Sequence, residues 1–490
     1  MSQSTPTPTQ TSPLPPPIYA PRGRGLLVIL ILVLGDLLSF GLAFGLALAL
    51  RSGAIPMLGG VIHWQVILPT LQISLLAFLI TYTLTGLYPG FGWTAVEEMR
   101  QIFASLTLGF GVVGLAIYLG RTGPLFSRSI FLMSWAFACL FNIIIRLAIR
   151  NRASLLPWWG APVIVFGPAA AVVDVVGRLL RSRRLGLRPV LILDEAAPPE
   201  QERILRVPLI RSAELLEQVV QAHKIQYAVY VEGSEAAPQT RQKLAWLSKR
   251  FPTILVVLAD SPLGSLWVRT MDLEGRLTLR AQYHLLDRKA TLFKRLFDLA
   301  LGGLAALLTL PLLGLLMILI RLDSRGPVFH TQERLGLGGR RIKFYKLRTM
   351  HLDAEQRLEG LLQADPQARQ EYQTYHKIRR DPRVTRMGRI LRQFSLDELP
   401  QFWHVLSGKM SLVGPRAYMV SELPEMGDRA SLILQIRPGL TGWWQVMGRH
   451  TTTFQHRLQL DEYYLSNWSL WLDIYILIKT VWVFLSGQGV

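Results

Sequence analysis

Four long apolar stretches in the first third of the chain constrain its fold more than any other feature. They are Leu26–Leu50, Trp64–Tyr88, Gln101–Leu119 and Phe126–Ile149. Each is long enough to cross the hydrocarbon core of a bilayer as a helix, which takes about 20 residues. The sequence therefore predicts a membrane domain of four spanning helices, which we assign to residues 23–152.

Basic residues flank this predicted bundle at its two ends. Arg22 and Arg24 precede the first stretch, and Arg150 and Arg152 follow the fourth. Because cytoplasmic flanks are enriched in arginine and lysine, both ends are expected in the cytoplasm, as an even number of spans requires. Arg121, in the loop between the third and fourth stretches, runs against this bias.

Composition agrees with a membrane protein that also has water-exposed parts. Of 490 residues, 50% are hydrophobic and only 18% are charged, while the net charge is +20. Beside apolar spans, this charge favours anionic lipid and phosphorylated substrates over nucleic acid as partners. The single cysteine, Cys139, excludes a disulfide or a cysteine-based zinc site within one chain. Residues 1–22 are predicted to be a disordered tail, and Asp36 either has an intramembrane function or faces the bundle interior.

The pattern changes after the fourth stretch. Over residues 158–265, short β-branched runs alternate with helical patterns, which predicts an α/β domain with a parallel sheet, a Rossmann-like nucleotide fold. The turn after its first strand reads Gly167-Pro-Ala-Ala-Ala171. It lacks the further glycines that let a backbone approach a pyrophosphate. We therefore expect this domain to bind no NAD and to be structural or regulatory.

A second apolar region follows a linker, residues 266–290, in which short strands are predicted around Glu274-Gly275. The segment Leu299–Ile320 is long enough to span, but it contains Pro311 and has basic residues on both sides. A proline inside a helix removes one hydrogen bond and kinks or breaks it. A kinked fifth span is one interpretation. We favour a broken, re-entrant helix over residues 296–320, because positive charge at both ends places both ends in the cytoplasm.

One acid pair lies among many arginines in the C-terminal part, residues 291–490. Ser395-Leu-Asp-Glu398 has the spacing of a capping box, with a serine at the N-cap. The helix start that this predicts would favour anions and keep Asp397 ionised. Neighbouring helical residues point about 100° apart, so the two carboxylates would have different roles. One can be a nucleophile while the other holds a divalent cation.

Basic residues near this pair are candidates to hold phosphate. Arg416 and Arg437 lie in turns rich in glycine and proline, which would fix a guanidinium for bidentate phosphate contact. Lys346 and Arg348 are two residues apart in a strand-like run, so they are predicted to share a polar face.

Other polar residues of this part are interpreted as structural. Arg386, Arg389 and Arg392 recur every three residues and are interpreted as a solvated basic stripe on a helix. His404 and His450 lack a recognisable partner spacing, so we expect structural roles for both.

Short motifs follow one another through Lys294–Gly487. In chain order they are Lys294-Arg295-Leu-Phe-Asp298, the segment with Pro311, Gly326-Pro-Val-Phe329, Gln332-Glu-Arg-Leu-Gly336, Lys346-Leu-Arg-Thr-Met350, Asp381-Pro-Arg383, Ser395–Gln401, Met410-Ser-Leu-Val-Gly-Pro-Arg416, Arg437–Gln445 and Asp461-Glu-Tyr-Tyr464. In this order they resemble the bacterial polyprenyl-phosphate hexose-1-phosphate transferases, the large members of the monotopic phosphoglycosyl transferase superfamily. The predicted bundle and nucleotide-fold domain extend the resemblance over nearly the whole chain.

The resemblance implies a fold class: a four-span membrane α-helical bundle, an α/β Rossmann-like domain and an α/β monotopic catalytic domain with a re-entrant membrane helix. It also implies a reaction in which a UDP-hexose, with galactose or glucose, and undecaprenyl phosphate yield undecaprenyl-diphospho-hexose and UMP. This would be the first membrane step of exopolysaccharide, capsule or O-antigen synthesis. The catalytic domain would lie on the cytoplasmic face of the bacterial inner membrane.

Roles for individual residues follow from the same resemblance. Asp397 would be the nucleophile that forms a covalent phosphosugar, and Glu398 would help to bind Mg²⁺. Substrates would be contacted by Lys346, Arg348, Arg416, Arg437, Gln445 and Arg449. Besides its substrates and inner-membrane lipid, we expect a second copy of the chain in a homodimer and no nucleic acid.

Two other classes of function remain at this point. A membrane-anchored glycosyltransferase that moves only the sugar would release UDP instead of UMP. A membrane sensor without enzymatic activity would tolerate substitution of Asp397. The identity of the hexose, galactose or glucose, is left open by the sequence.

Overall fold

The chain divides into two units, Met1–Ser261 and Pro262–Val490, each described by itself below. The computed structural model describes residues 24–54, 64–120, 127–198, 200–223, 225–232, 237–258, 268–273, 276–281, 285, 288–365, 367, 369, 381–448 and 453–485. The predicted tail, residues 1–22, lies outside the described residues, and so do Arg449 and His450.

Long apolar helices form the first part of the N-terminal unit. They are α1 (Arg24–Ala49, followed by the π-helical turn Leu50–Ala54), α2 (Trp64–Leu84), α3 (Ala95–Leu119) and α4 (Arg128–Ala153). By length and composition, α1, α3 and α4 are each able to cross a membrane, and α2 is a predominantly apolar helix of 21 residues. The four predicted apolar helices are therefore present, and the protein is a membrane protein.

Charged side chains inside this bundle pair with one another. Arg146 donates two hydrogen bonds to the Asp36 carboxylate, at 2.8 and 2.7 Å, and Arg150 donates to Glu98 at 2.6 Å. Arg146 also reaches Glu98 at 3.3 Å, and none of these four residues is more than 2% exposed. Buried charges persist where they are paired. Of the two interpretations of Asp36, its position facing the bundle interior is confirmed.

A six-stranded sheet follows the bundle in the same unit. Its strands are β1 (Ala161–Phe166), β2 (Leu187–Leu193), β3 (Arg203–Ile204), β4 (Val207–Ile210), β5 (Tyr227–Glu232) and β6 (Thr253–Leu258), and the helices between them are α5 (Ala169–Arg181), α6 (Ala213–His223) and α7 (Ala237–Ser248). The strand order is β3-β4-β2-β1-β5-β6. All pairings are parallel except the edge pair β3–β4. The predicted α/β sheet is therefore present, with an edge that the sequence did not reveal.

The turn after β1 is closed by the chain itself. Gly167 has a φ of +145°, and a Cβ there would lie 2.6 Å from the carbonyl oxygen of Val231. Asp194, which follows β2, accepts hydrogen bonds from the backbone N–H groups of Ala169 at 2.8 Å and Ala196 at 3.0 Å. A carboxylate thus occupies the start of α5, the place where nucleotide folds bind phosphate.

The C-terminal unit opens with an antiparallel hairpin of β7 (Val268–Leu273) and β8 (Arg276–Ala281). These are the short strands predicted for the linker. A single helix, α8 (Arg288–Asp323), follows and contains Pro311. Helical hydrogen bonding therefore continues through Pro311, and the re-entrant course predicted for residues 296–320, which requires a kink at this proline, stays a prediction. A proline removes one hydrogen bond of the helical ladder, and the bonds on either side keep this helix continuous.

The remaining elements of the unit are short. They are β9 (Phe329–Leu335), β10 (Arg341–Leu347), α9 (Ala354–Ala364), α10 (Arg386–Gln393), a 3₁₀ helix (Leu396–Gln401), α11 (Phe402–Leu406), β11 (Ser411–Val413), α12 (Leu423–Met426), α13 (Arg429–Ile433), β12 (Gly439–Thr441), α14 (Trp443–Met447), α15 (Phe454–Ser466) and α16 (Leu470–Leu485). Strands β9 and β10 pair antiparallel, and β11 and β12 pair parallel.

Helix α8 packs on the rest of this unit near both of its ends. Near its start, Lys294 donates to Asp473 at 2.6 Å, and Asp298 accepts from Ser411 at 2.7 Å. Near its end, Leu316 and Ile320 enter a core cluster with Val328, Leu347 and Leu391. Between these contacts most side chains of the helix are exposed. Only 11% of its most apolar stretch is buried, against 33–39% in α1, α3 and α4.

Candidate active site

The acid pair lies on a 3₁₀ helix, Leu396–Gln401, and not at the start of an α-helix. Ser395 has a left-handed backbone with a φ of +49° and its side chain makes no capping hydrogen bond. The N–H of Glu398 instead donates to the backbone carbonyl of Ser395 at 3.3 Å. The predicted capping box is therefore wrong, because the 3₁₀ backbone bond takes the donor that the serine hydroxyl would have capped.

Lys346 lies between the two carboxylates. Its Nζ donates to Oε1 of Glu398 at 2.9 Å and lies 3.9 Å from Oδ2 of Asp397. The Asp397 side chain is 14% exposed and that of Glu398 is 35% exposed, so their environments differ. An ion pair this open contributes only about 0.2–1 kcal/mol to stability. Its main effect is to orient the ammonium group and the carboxylates.

Burial controls the charge of Asp397. Desolvation raises its pKa above the usual aspartate range, Lys346 opposes this with its positive charge, and the neighbouring Glu398 adds to the rise. Lys346, a backbone hydrogen bond and Arg392 each favour the ionised form of Asp397, the form a nucleophile needs, but desolvation outweighs them and the net shift of the pKa is upward.

His404 holds strand β10 in place beside the acid pair. Its Nε2 accepts a hydrogen bond from the backbone N–H of Tyr345 at 3.1 Å, and the two rings stack at 5.2 Å. The imidazole is fully buried, and this burial lowers its pKa. A neutral histidine that accepts a backbone bond has the structural role predicted for it.

Arg348 does not share a face with Lys346 as predicted, while its role as a substrate ligand stays a prediction. Strand β10 ends at Leu347, so the alternation that would place Arg348 beside Lys346 does not continue. Its guanidinium donates to the carbonyl oxygens of Arg325 and Ser324 at 2.8 and 2.7 Å. A Cβ at Gly326 would lie 2.1 Å from Nη1 of Arg348. Arg348 therefore holds the turn that follows α8 and makes no contact with the acid pair.

Arg392 and Arg334 interact with the acid pair, although neither was predicted to belong to the site. Arg392 is half-buried and donates to Thr349 at 3.0 Å, and Asp397 is the anion that most favours its charged form. The stripe interpretation holds for Arg386 and Arg389, which are exposed, but not for Arg392. Its position in the sequence, five residues before Asp397, could have indicated that Arg392 lies near the acid pair.

Arg334, on strand β9, interacts electrostatically with Arg416 and with Glu398 of the acid pair. Its guanidinium donates to the backbone of Ala417 at 3.2 Å and to Gln332 at 2.8 Å. Burial lowers its pKa, as does the positive charge of Arg416, while Glu398 acts in the opposite direction. The signal in the sequence was its place in the motif Gln332–Gly336.

The other predicted substrate ligands differ in how they are placed. Arg416 lies with its Nη2 4.0 Å from Glu422, in the basic group that surrounds Arg334. Arg437 donates to the carbonyl of Gly408 at 2.8 Å, and Gln445 donates to the carbonyl of Leu440 at 3.4 Å. Neither of these two contacts the acid pair in the described structure. Arg449 is outside the described residues.

The donor set near the acid pair suits a magnesium ion that shares its ligands with a substrate. No group of three or more His, Cys, Asp or Glu able to hold a metal occurs among the residues the structure describes. Mg²⁺ is commonly held by one or two carboxylates together with phosphate oxygens. Asp397 and the more exposed Glu398 fit that pattern.

Two family models match parts of the chain. The family model for bacterial sugar transferases matches residues 289–487, and a model named CoA-binding domain matches residues 83–231.

Curated relatives match over most of the chain. A UDP-galactose-lipid carrier transferase of Erwinia amylovora is 29% identical over 95% of this chain and 98% of its own length. An undecaprenyl-phosphate galactose phosphotransferase of Salmonella typhimurium is 31% identical over 80% of this chain and 82% of its own length. The exopolysaccharide production protein ExoY of Rhizobium meliloti is 40% identical over 38% of this chain and 83% of its own length. The chain is an enzyme that belongs to the bacterial sugar transferase family.

Proposed function

We propose that this enzyme transfers hexose-1-phosphate from a UDP-hexose to undecaprenyl phosphate, giving undecaprenyl-diphospho-hexose and UMP. Galactose and glucose are both candidates for the hexose. The catalytic domain is assigned to residues 291–490, the membrane bundle to residues 23–152 and a structural or regulatory α/β domain to residues 158–265. The names of the relatives from Erwinia amylovora and Salmonella typhimurium support this choice of donor and acceptor.

The acid pair supports a reaction in two displacements. An ionised Asp397 oxygen attacks the β-phosphorus of the UDP-hexose, and the bond from that phosphorus to the bridging oxygen breaks, so UMP leaves. The resulting acyl-phosphate carries the hexose. A phosphate oxygen of the lipid then attacks the same phosphorus, and the carboxylate of Asp397 leaves. Splitting a difficult displacement into two steps is what covalent catalysis provides.

Cations of the chain stabilise charge that develops in both steps. The ammonium of Lys346 lies 2.9 Å from Glu398. Its positive charge favours the ionised form of Asp397 and can also bind a phosphate oxygen of the substrate. Arg392 interacts with Asp397, Arg334 interacts with Glu398, and Arg416 interacts with Arg334; guanidinium groups bind phosphate bidentately. A bound Mg²⁺, held by Glu398 with Asp397 nearby, would add neutralisation of the diphosphate charge.

Packing of helix α8 supports catalysis on one side of the membrane. Lys294 near its start and Ile320 near its end both pack on the C-terminal unit. A helix that crossed a bilayer would carry these two residues to opposite faces. We therefore retain the prediction that residues 296–320 enter and leave on the cytoplasmic face of the inner membrane, with apolar side chains in lipid. The homodimer also stays a prediction.

The observation that carries the proposal is the half-buried Asp397 with its raised pKa beside Lys346. We expect Asp397→Asn to lose more than about a thousandfold in transfer rate, as enzymes do that lose a covalent nucleophile. The measurement is transfer of radiolabel from a panel of UDP-sugars to undecaprenyl phosphate by purified enzyme with magnesium, with the released nucleotide identified.

Asp353→Asn is the matched control, because Asp353 is also paired with a basic residue, Arg357 at 2.8 Å, but is 48% exposed and remote from the pair. It should retain near-normal activity. Appreciable turnover by Asp397→Asn would exclude the covalent mechanism. Release of UDP instead of UMP by the wild type would establish transfer of the sugar alone.

A further inference from the structure

Asp461, on helix α15, is a fully buried carboxylate to which the mechanism above gives no role. One of its oxygens, Oδ2, accepts two hydrogen bonds, from the backbone N–H of Arg416 at 3.0 Å and from the hydroxyl of Tyr418 at 2.7 Å. Its other oxygen, Oδ1, has no hydrogen-bond partner among the residues that the structure describes. Both bonds therefore go to the segment that carries Arg416.

The same segment is held from the opposite side by strand β9. The N–H of Leu335 donates to the carbonyl of Tyr418 at 2.8 Å, and Arg334 donates to the carbonyl of Ala417 at 3.2 Å. The backbone from residue 416 to residue 418 is thus fixed between β9 and α15. Since Arg334 interacts electrostatically with both Arg416 and Glu398, the clamp joins Arg416 to the proposed reaction centre.

The guanidinium of Arg416 lies in a group of cations around one indole. Its Cζ is 5.1 Å from the ring centre of Trp444, and that of Arg457 is 5.8 Å from the same ring. Arg457 is one helical turn before Asp461 on α15, so both residues face this group. Helix α15 therefore supplies a second arginine and the carboxylate that fixes the first.

Comparison with Asp473, another fully buried aspartate, separates two uses of a buried carboxylate. Both oxygens of Asp473 are satisfied, by Tyr464 at 2.7 Å on one and by Lys294 and Trp468 on the other. A buried carboxylate is tolerated in a stable fold when both of its oxygens are paired in this way. Oδ1 of Asp461 has no hydrogen-bond partner within the described part of the chain, which costs stability, whereas Oδ2 binds the turn that carries Arg416.

We infer that Asp461 is a positioning residue of the proposed transfer reaction and acts through Arg416. It fixes the backbone of residues 416–418 so that the guanidinium meets a phosphate group of a substrate. Two substrates carry that group, the nucleotide donor and the lipid acceptor, and the chemistry of recognition is the same for both. The predicted effect on KM rests on the proposed function. The predicted contact of Asp461 with the Arg416 backbone does not.

The structural part is tested by hydrogen exchange on the full-length enzyme. We expect the Arg416 amide to be protected in the wild type and to lose that protection in Asp461→Ala, because its acceptor is gone. Asp461→Asn should retain protection, since the amide oxygen can still accept. Burial raises the pKa of Asp461 to about 7. The neutral asparagine therefore resembles the protonated aspartate that the wild type itself contains near neutral pH.

The kinetic part uses release of UMP, with the UDP-hexose varied in one arm and undecaprenyl phosphate in the other. Asp461→Ala should raise the KM in one arm by about 10- to 100-fold, as misplaced binding groups do, while Asp461→Asn stays within about threefold of the wild type because the hydrogen bonds remain. The arm that responds identifies the substrate that Arg416 meets. In an Arg416→Ala background, Asp461→Ala should have no further effect on KM.

A matched pair of tyrosines covers the case in which Asp461→Ala fails to fold. Tyr418 and Tyr464 are both fully buried, and each donates to an aspartate at 2.7 Å. Both Phe variants should lose thermal stability, but Tyr418→Phe should raise KM more, because the Tyr464 hydroxyl donates to Asp473 and to the carbonyl of Val413 and not to Asp461.

Equal KM effects of the two tyrosine variants, or full additivity of Asp461→Ala with Arg416→Ala, would overturn the inference. If the wild type releases no UMP from any UDP-hexose, the proposed function is wrong. The exchange experiment then still decides whether Asp461 holds the Arg416 backbone.

Discussion

At the scale of single residues, desolvation and one lysine set the properties of the acid pair. The two acids and Lys346 could be predicted from the sequence, because adjacent carboxylates among cations are a local pattern. The roles of the arginines could not. Arg348 turns to the carbonyls of Ser324 and Arg325 because β10 ends one residue earlier. Arg392 turns inward because its helix packs on Thr349, where a Cβ at Gly388 would lie 2.1 Å from the carbonyl oxygen.

The raised pKa of Asp397 predicts an acid limb in the pH profile of the enzyme. Below this pKa the nucleophile is protonated and inactive, so kcat/KM should fall as the pH falls through it. The positive charge of Lys346 lowers this pKa. Lys346→Met should therefore move the acid limb to higher pH. This shift is separate from any change in the maximal kcat/KM. The measurement is kcat/KM for UMP release over a pH series.

Lys343→Met is the control for this experiment. Lys343 lies on the same strand but is exposed to solvent, so its removal should leave the position of the limb unchanged. A limb that stays at the wild-type pH in Lys346→Met would mean that Asp397 does not control the profile.

At the scale of elements, the α/β domain combines a sheet that the sequence predicts with a contact at the start of α5 that it does not. The order and direction of its central strands agree with the pattern of short apolar runs in the sequence. The edge pair Arg203–Ile204 and Val207–Ile210 escaped prediction because each strand is too short to show alternation. The contact of Asp194 with the start of α5 could not be predicted, since the two groups are 25 residues apart.

This contact predicts that the domain binds neither CoA nor NAD, although the model named CoA-binding domain matches this region. The carboxylate of Asp194 occupies the N–H of Ala169 that a ligand phosphate would need, and repels the phosphate charge. Calorimetry of the full-length enzyme with each cofactor should show no binding. Micromolar affinity in the wild type, abolished by Asp194→Ala, would instead make Asp194 a ligand-binding residue.

At the scale of the whole molecule, the apolar helices decide where the chemistry takes place. Their existence follows from composition and length. The course of α8 through the membrane does not follow from the sequence, because a long apolar helix that contains Pro311 could either cross the bilayer or return to the face from which it entered. What distinguishes the two is packing between residues far apart in the chain, such as Lys294 with Asp473, separated by 179 positions.

The proposed course of α8 predicts the labelling of the turn that follows it. Arg325 is exposed and should lie in the cytoplasm. Arg325→Cys in a Cys139→Ala background should be protected from a membrane-impermeant thiol reagent in intact cells and should react after the cells are opened.

Ile55→Cys in the same background is the comparison, because position 55 follows the first predicted span and is expected on the periplasmic side. Reaction of the Arg325→Cys protein in intact cells to the extent of the Ile55→Cys protein would show that α8 crosses the membrane.

The paired charges of the N-terminal bundle also impose an order on its biogenesis. Asp36 leaves the ribosome 110 residues before Arg146, the arginine that neutralises it. Until α4 has been made, α1 carries an uncompensated carboxylate that disfavours its release into lipid. The nascent bundle should therefore remain at the insertion machinery until its fourth helix arrives. Chains that end before Arg146 should be recognised and degraded as unfinished.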